Sequence, residues 1–144
     1  MPENKHSIEV VREWIAKAEN DLKTATHTLK LGARCPTDTV CFHAQQCIEK
    51  YLKALLVFKK IDFPKTHDLS ELIVLLPSGI DTGLTLLEQR ELSGYATAAR
   101  YPGDYEPISL SEARKAVNMA RKVRKEIRKY LRAALSQRKN HLFS

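Results

Sequence analysis

Long apolar runs are missing from this 144-residue chain. None approaches the roughly 18–20 residues that a membrane span requires. The N-terminus, MPENKHSIEV, lacks the basic-then-apolar shape of a secretory signal. A cytoplasmic location with no membrane association is therefore expected. Cysteine is scarce too: Cys35, Cys41 and Cys47 are an odd number with no CxxC pair, which argues against a disulfide framework or a zinc knuckle. Cys41 and Cys47 fall six residues apart in one expected helix, on different sides and more than a turn apart, so they cannot bridge each other. They read as small core fillers in a reducing compartment. There is no Walker-type phosphate loop, no GxGxxG, no HExxH, no Cys/His cluster at metal spacing and no GxSxG. Neither a metal nor a cofactor is expected, and a standard hydrolase or oxidoreductase is disfavoured. No segment alternates with the period of two that marks a strand, and no internal repeat or low-complexity stretch occurs.

What is present suits one folded domain. Hydrophobic residues make up 43% and charged residues 28%, a balance far from disorder. The length can bury a real core. The net charge of +7 is unevenly placed. Between Ser109 and Lys139 stand eleven Lys or Arg against two acids, Glu112 and Glu126, which leaves the remainder slightly acidic. Such a basic segment suits an anionic partner, such as RNA, a nucleotide or an acidic protein. The alternative is a solvated helix face.

Gly and Pro cluster at 32–36, at Pro64, at 77–83 and at 94–107, and the apolar period between these breaks is helical. Ile8, Val11, Ile15, Ala18, Leu22, Ala25 and Leu29 step three and four apart, a heptad seam that Trp14 widens and Gly32 stops. A second helix is expected over about Asp38–Lys60, with Cys41, Ala44, Ile48, Tyr51, Leu55 and Phe58 on its seam. Cys47, Leu52 and Leu56 broaden that face, which makes this helix central. A short third helix follows Asp68, with Glu71 at capping-box spacing. A fourth runs from near Thr82 to Gly94, or starts a turn later if Thr85 and Glu88 form its capping box. The last opens at Ser109 with Glu112 three residues on. Its seam is Ala113, Ala116, Ala120, Val123, Ile127, Tyr130 and Ala134, and Arg114, Arg121, Lys125, Arg128 and Arg132 line an outward basic strip. The expected fold is all-α: an up-and-down bundle of four to five helices in a single domain, 1–144, with its core over about 8–135 and a flexible basic tail over 136–144.

Three local groups could carry chemistry. In FHAQQCIEKYLKALL, His43, Gln46, Lys50 and Lys53 share one polar flank and could meet a phosphate and a base edge. Otherwise His43 covers a buried contact and the lysines are solvated. In FPKTHDL, Lys65 and His67 precede a helix N-terminus suited to an anion, unless Asp68 already caps it. In ARYPGDY, a Pro-Gly turn gathers Arg100, Tyr101, Asp104 and Tyr105, groups suited to stacking and phosphate contact. The plain alternative is a tyrosine-anchored loop with an Arg–Asp ion pair.

These three stretches in this order, over about Val10–Leu135, resemble the HEPN domain family. The resemblance implies a four- or five-helix bundle that often pairs as a homodimer and associates with nucleotides or RNA. It also implies a partner of the minimal nucleotidyltransferase kind, in a two-protein module like a toxin–antitoxin pair. Many members of that family are metal-independent ribonucleases, with an Arg followed four to six residues later by a His. Here Tyr105, Glu106 and Pro107 stand where a His would follow Arg100, and eight residues separate Arg34 from His43. A phenol with a pKa near ~10 is a poor proton carrier at neutral pH. No catalytic residue is therefore assigned. The expected function is a nucleotide- or RNA-binding helical module. The alternatives are a divergent ribonuclease that brings His43 or His67 to Arg100, and a purely structural assembly partner.

Overall fold

A helix stays continuous where apolar residues repeat every three or four positions and no Gly or Pro intervenes, and the chain obeys this rule closely. The computed structural model describes residues 8–97 and 106–143, with the backbone alone for 133, 134 and 136–143. It contains five α-helices, α1 (Ile8–Leu29), α2 (Thr37–Phe58), α3 (Leu69–Ile73), α4 (Leu86–Gly94) and α5 (Leu110–Phe143), with one 3₁₀ turn at Gly32–Arg34. No strand occurs among the described residues, so the bundle is all-α. None of these helices is long and apolar enough to cross a membrane.

α2 is the centre. Fourteen of its 22 residues are buried, so it has neighbours on most of its circumference. α1 packs along one side and α5 along another, and α1 also touches α5. The seam of α1 buries Val11, Ile15, Ala18 and Ala25, while Ile8, Leu22 and Leu29 lie at its half-buried edge. α5 approaches closely because Ala113, Ala116 and Ala120 keep its seam thin, and Val123 and Ile127 continue it. Leu131, fully buried, then takes the inward place expected for Tyr130, which is only half-buried. The side chain of Ala134 lies outside the described residues. Cys41 and Cys47 are fully buried, Cys35 is half-buried, and all three are free. Burial, then the nearby Glu19 and Asp21 carboxylates, push the Cys47 thiol up, so it stays protonated and behaves as a small apolar filler.

The helix ends show which local signals decide. α2 stops two residues earlier than expected, because Lys60 adopts φ 61° and the Ile61 amide donates back to the Leu56 carbonyl at 2.9 Å. At α3, Asp68 caps by accepting from the Ser70 amide at 3.0 Å. No capping box with Glu71 forms there, since the Asp68 amide is engaged by Thr66 Oγ1. α4 starts at the later of the two expected places. Gly83, at φ +80°, interrupts any helix from Thr82, and Thr85 and Glu88 complete a reciprocal capping box. At α5 only half of the expected box forms: the Glu112 amide donates to Ser109 Oγ, but the Glu112 carboxylate accepts from the Tyr95 hydroxyl. α5 then runs to Phe143, through the stretch expected as a flexible tail. No Gly or Pro follows Ser109 to end it.

α3 and α4 pack on each other and on α2. Val74, which caps α3, and Leu86 and Leu87 of α4 are exposed large apolar side chains. Truncating a core position should separate cleanly from truncating this surface. Leu52→Ala, at a fully buried site, should lose about 2–5 kcal/mol in urea unfolding. Leu87→Ala, 65% exposed, should change stability by no more than about 0.5 kcal/mol.

Candidate functional site

A carboxylate buried in a helical bundle must find cations or donors, and α1 and α2 each bury one on the same flank. Asp21 of α1 is 8% exposed. It accepts from His43 Nδ1 at 2.8 Å on one oxygen and from Lys50 Nζ at 2.6 Å on the other. Glu49 of α2 is 3% exposed. One of its oxygens accepts from Gln45 Nε2 at 3.0 Å and from His67 Nδ1 at 2.9 Å, and the other accepts from Lys53 Nζ at 2.9 Å. Each carboxylate thus holds one imidazole and one ammonium. An ionised carboxylate only accepts, so Nδ1 is the donor in both pairs and a neutral imidazole keeps Nε2 as its acceptor.

Burial pushes the Glu49 carboxyl up, but the hydrogen bonds from Gln45, Lys53 and His67, with the Lys53 charge, outweigh it and hold the group below the usual carboxylate range. Gln45 also donates to the His67 carbonyl at 3.2 Å, which ties the 61–68 connection to α2. Gln46 donates to Gln45 Oε1 at 2.7 Å. The expected row of His43, Gln46, Lys50 and Lys53 therefore does run along one flank, but as a set of paired groups. His43 and Lys50 serve Asp21, and Lys53 serves Glu49.

At the end of the row nearest Lys53 a cleft of about 650 Å³ opens between α1, α2 and the 61–67 connection. Val10, Trp14, Val57, Ile61 and Phe63 line it with apolar surface. Lys53 lies within it, 5.4 Å from the Trp14 ring centroid and 5.8 Å from that of Phe63, a cation shared by two rings. Lys65, Thr66 and His67 complete the lining, together with Asp62. Asp68 occupies the α3 helix end itself, the capped-turn alternative of the sequence reading, and Lys65 and His67 belong to this cleft.

The other flank is differently built. Glu19 lies two residues from Asp21 and so points to nearly the opposite side of α1. It accepts from the Tyr51 hydroxyl, and from Arg124 through Nε at 2.7 Å and Nη2 at 3.0 Å. Arg128 Nη1 donates to the Tyr51 hydroxyl at 3.1 Å. Burial raises the Glu19 carboxyl, yet the Arg124 and Tyr51 hydrogen bonds and the charges of Arg124 and Arg128 bring it below its ordinary value. Burial and the Glu19 bond push the Tyr51 phenol up, so it stays a donor. This group joins α1, α2 and α5. It draws Arg128 out of the expected strip, while Arg114, Arg121, Lys125 and Arg132 remain exposed on α5.

Arg100, Tyr101, Asp104 and Tyr105 lie outside the described residues. The groups that sequence reading missed are Asp21, Glu49, Trp14 and Phe63 as cleft and pairing residues, and Arg124. Two had a visible signal. Glu49 is an acid inside the most apolar helix, four residues before Lys53, and Asp21 interrupts a seam between Ala18 and Leu22.

The family model described as HEPN domain matches residues 11–137. The crystal structure of TT1696 from Thermus thermophilus is 28% identical, covers 84% of this chain and 98% of its own, and superposes with a TM-score of 0.71. The crystal structure of ST0689, an archaeal HEPN homologue, is 30% identical, with 82% and 94% covered and a TM-score of 0.63. A search among curated proteins returns no match.

The depressed Glu49 carboxyl has a consequence for stability. A carboxyl held below its unfolded value contributes stability above that value and loses it as the pH falls. Thermal melts should show stability declining as the pH drops through the ordinary value of 4.5 and below. Glu49→Gln should lower the melting temperature at pH 7 and make that acid decline shallower. Glu19 has the same sign, so part of the slope should persist. An unchanged slope in Glu49→Gln would show that Glu49 does not stabilise the fold by its charge.

Proposed function

The chain belongs to the HEPN domain family, and from that premise we propose that it binds a nucleotide or RNA through the α1–α2 flank. One observation carries the reading: cationic and imidazole groups from His43 and Lys50 to Lys53, Lys65 and His67 run along a single flank and end at a cleft sized for a small molecule. From His43 to Lys53 the row spans roughly 15 Å of helix. Lys50 and Lys53 are held in place by buried carboxylates, so little side-chain entropy is lost when an anion meets them. Lys65 is exposed at the cleft and carries no carboxylate pairing among the described residues. The exposed cations of α5 would draw a polyanion toward the molecule from a distance.

A protein partner is part of the same proposal. Val74, Leu86 and Leu87 offer exposed apolar surface to a second copy of the chain or to a nucleotidyltransferase, in an arrangement of the toxin–antitoxin kind.

The test is a titration of the purified protein with ATP, GTP and a short single-stranded RNA over a range of salt. Phosphate-driven binding of the RNA should weaken steeply with salt. Lys65→Ala should flatten the plot of log affinity against log salt by roughly 0.7 per lost phosphate contact. Binding to none of the three, or binding that ignores salt, would remove this reading and leave the assembly-partner alternative.

A further inference from the structure

The cleft beside Lys53 is built differently from the polar row that leads to it. A site for phosphate alone needs donors and charge, whereas this cleft is walled mainly by apolar and aromatic side chains. Trp14 is the only tryptophan in the chain. It stands half-exposed in the cleft wall, not in the core, where its large ring would gain most from burial. Phe63 is also half-buried, on the 59–68 connection where the chain is not helical. The ammonium of Lys53 lies 5.4 and 5.8 Å from the two ring centroids, and its side chain is only 10% exposed and already paired with Glu49. Lys ammonium groups have three donors, and Glu49 takes one here. The cleft thus offers two aromatic faces, a polarising cation and spare hydrogen-bond donors, with Lys65 and His67 beside them.

We propose that the cleft walled by Trp14 and Phe63 stacks one unpaired base of a single-stranded RNA, with the adjoining phosphate on Lys65 and the strand continuing toward Lys50 and His43. This rests on the nucleotide- or RNA-binding reading above and adds to it the strandedness of the ligand and the place of its base. Stacking on an aromatic side chain requires a base whose face is free, which a paired and stacked duplex does not present. The Lys53 ammonium would donate to a ring nitrogen or carbonyl oxygen of the base. The phosphate is assigned to Lys65, because Asp62, also in the lining, would repel it and the neutral His67 keeps only an Nε2 acceptor.

The single tryptophan makes the experiment direct. A labelled six-nucleotide adenylate RNA, an abasic strand of the same length and a duplex of the same strand would each be titrated into the protein. Anisotropy of the label reports binding, and Trp14 emission reports stacking. The single strand should quench Trp14 emission by about half, with the same midpoint as the anisotropy. The abasic strand should bind more weakly and leave the emission nearly unchanged, and the duplex should do the same. Phe63→Leu keeps the apolar volume but removes one ring, and should weaken single-strand binding about five- to tenfold. Its melting temperature would check that the variant is folded. Salt-dependent anisotropy with no change in Trp14 emission would overturn the stacking site and leave the wider binding reading intact. No anisotropy change with any strand would overturn both.

Discussion

A charged carboxylate inside the most apolar helix is the constraint on which the functional flank depends. Glu49 sits among Ile48, Tyr51, Leu52 and Leu55, all fully buried, and cannot remain ionised there without partners. Gln45 and Lys53 come from its own helix, one turn away on either side. The third partner, His67, comes from beyond the end of α2, and its bond to Glu49 fixes the course of the chain after Lys60. That course places Phe63 5.8 Å from the Lys53 ammonium, which also lies 5.4 Å from Trp14 of α1. The wall of the cleft formed by the 61–67 connection is thus tied to the groups that satisfy one buried charge. The same demand holds the Lys53 ammonium under two aromatic rings, a position an unpaired lysine would leave for water.

α2 distributes its polar groups by flank. On the side it shares with α1 and the 61–68 connection, the anions Asp21 and Glu49 are matched by lysines and histidines, of which His67 is the most exposed. Where α1, α2 and α5 meet, Glu19 is matched by Arg124 and, through Tyr51, by Arg128. Both arrangements satisfy acids, Asp21 and Glu49 buried and Glu19 half-exposed, but they differ in what remains. Arg124 spends two of its donors on one carboxylate, which locks three helices together. His43 and His67 spend one ring nitrogen each and keep the other. The first arrangement is suited to holding the bundle, and the second to meeting something outside it.

Much of the fold was legible because it rests on local period. The α1 seam from Ile8 to Leu29 coincides with the observed helix, since heptad spacing and Gly32 are both local signals. The weakest expectations concerned boundaries. The end of α2 depends on a left-handed Lys60, a residue type that gives no warning of that conformation. The flank of His43, Gln46, Lys50 and Lys53 could be read from helical phase, but its pairing could not. Asp21 lies 22 residues from His43, and Glu49 lies 18 from His67. Phase says which residues share a face and is silent on which faces meet. For the same reason Arg128 was placed with the outward strip, and Arg124, one turn away, was overlooked.

The length of α5 has a mechanical meaning. Its 34 residues exceed α1 and α2 by twelve each, roughly 18 Å of extra helix. The buried positions of its seam begin at Ala113, near the first turn, and the last described one is Leu131. Beyond Leu131 the seam still meets the core at its edge through Leu135, so the described part of α5 is held along more than about five turns. The Glu19–Tyr51–Arg124 junction falls near the middle of that seam, where it acts as a pin that stops α5 from sliding along its smooth Ala-lined face.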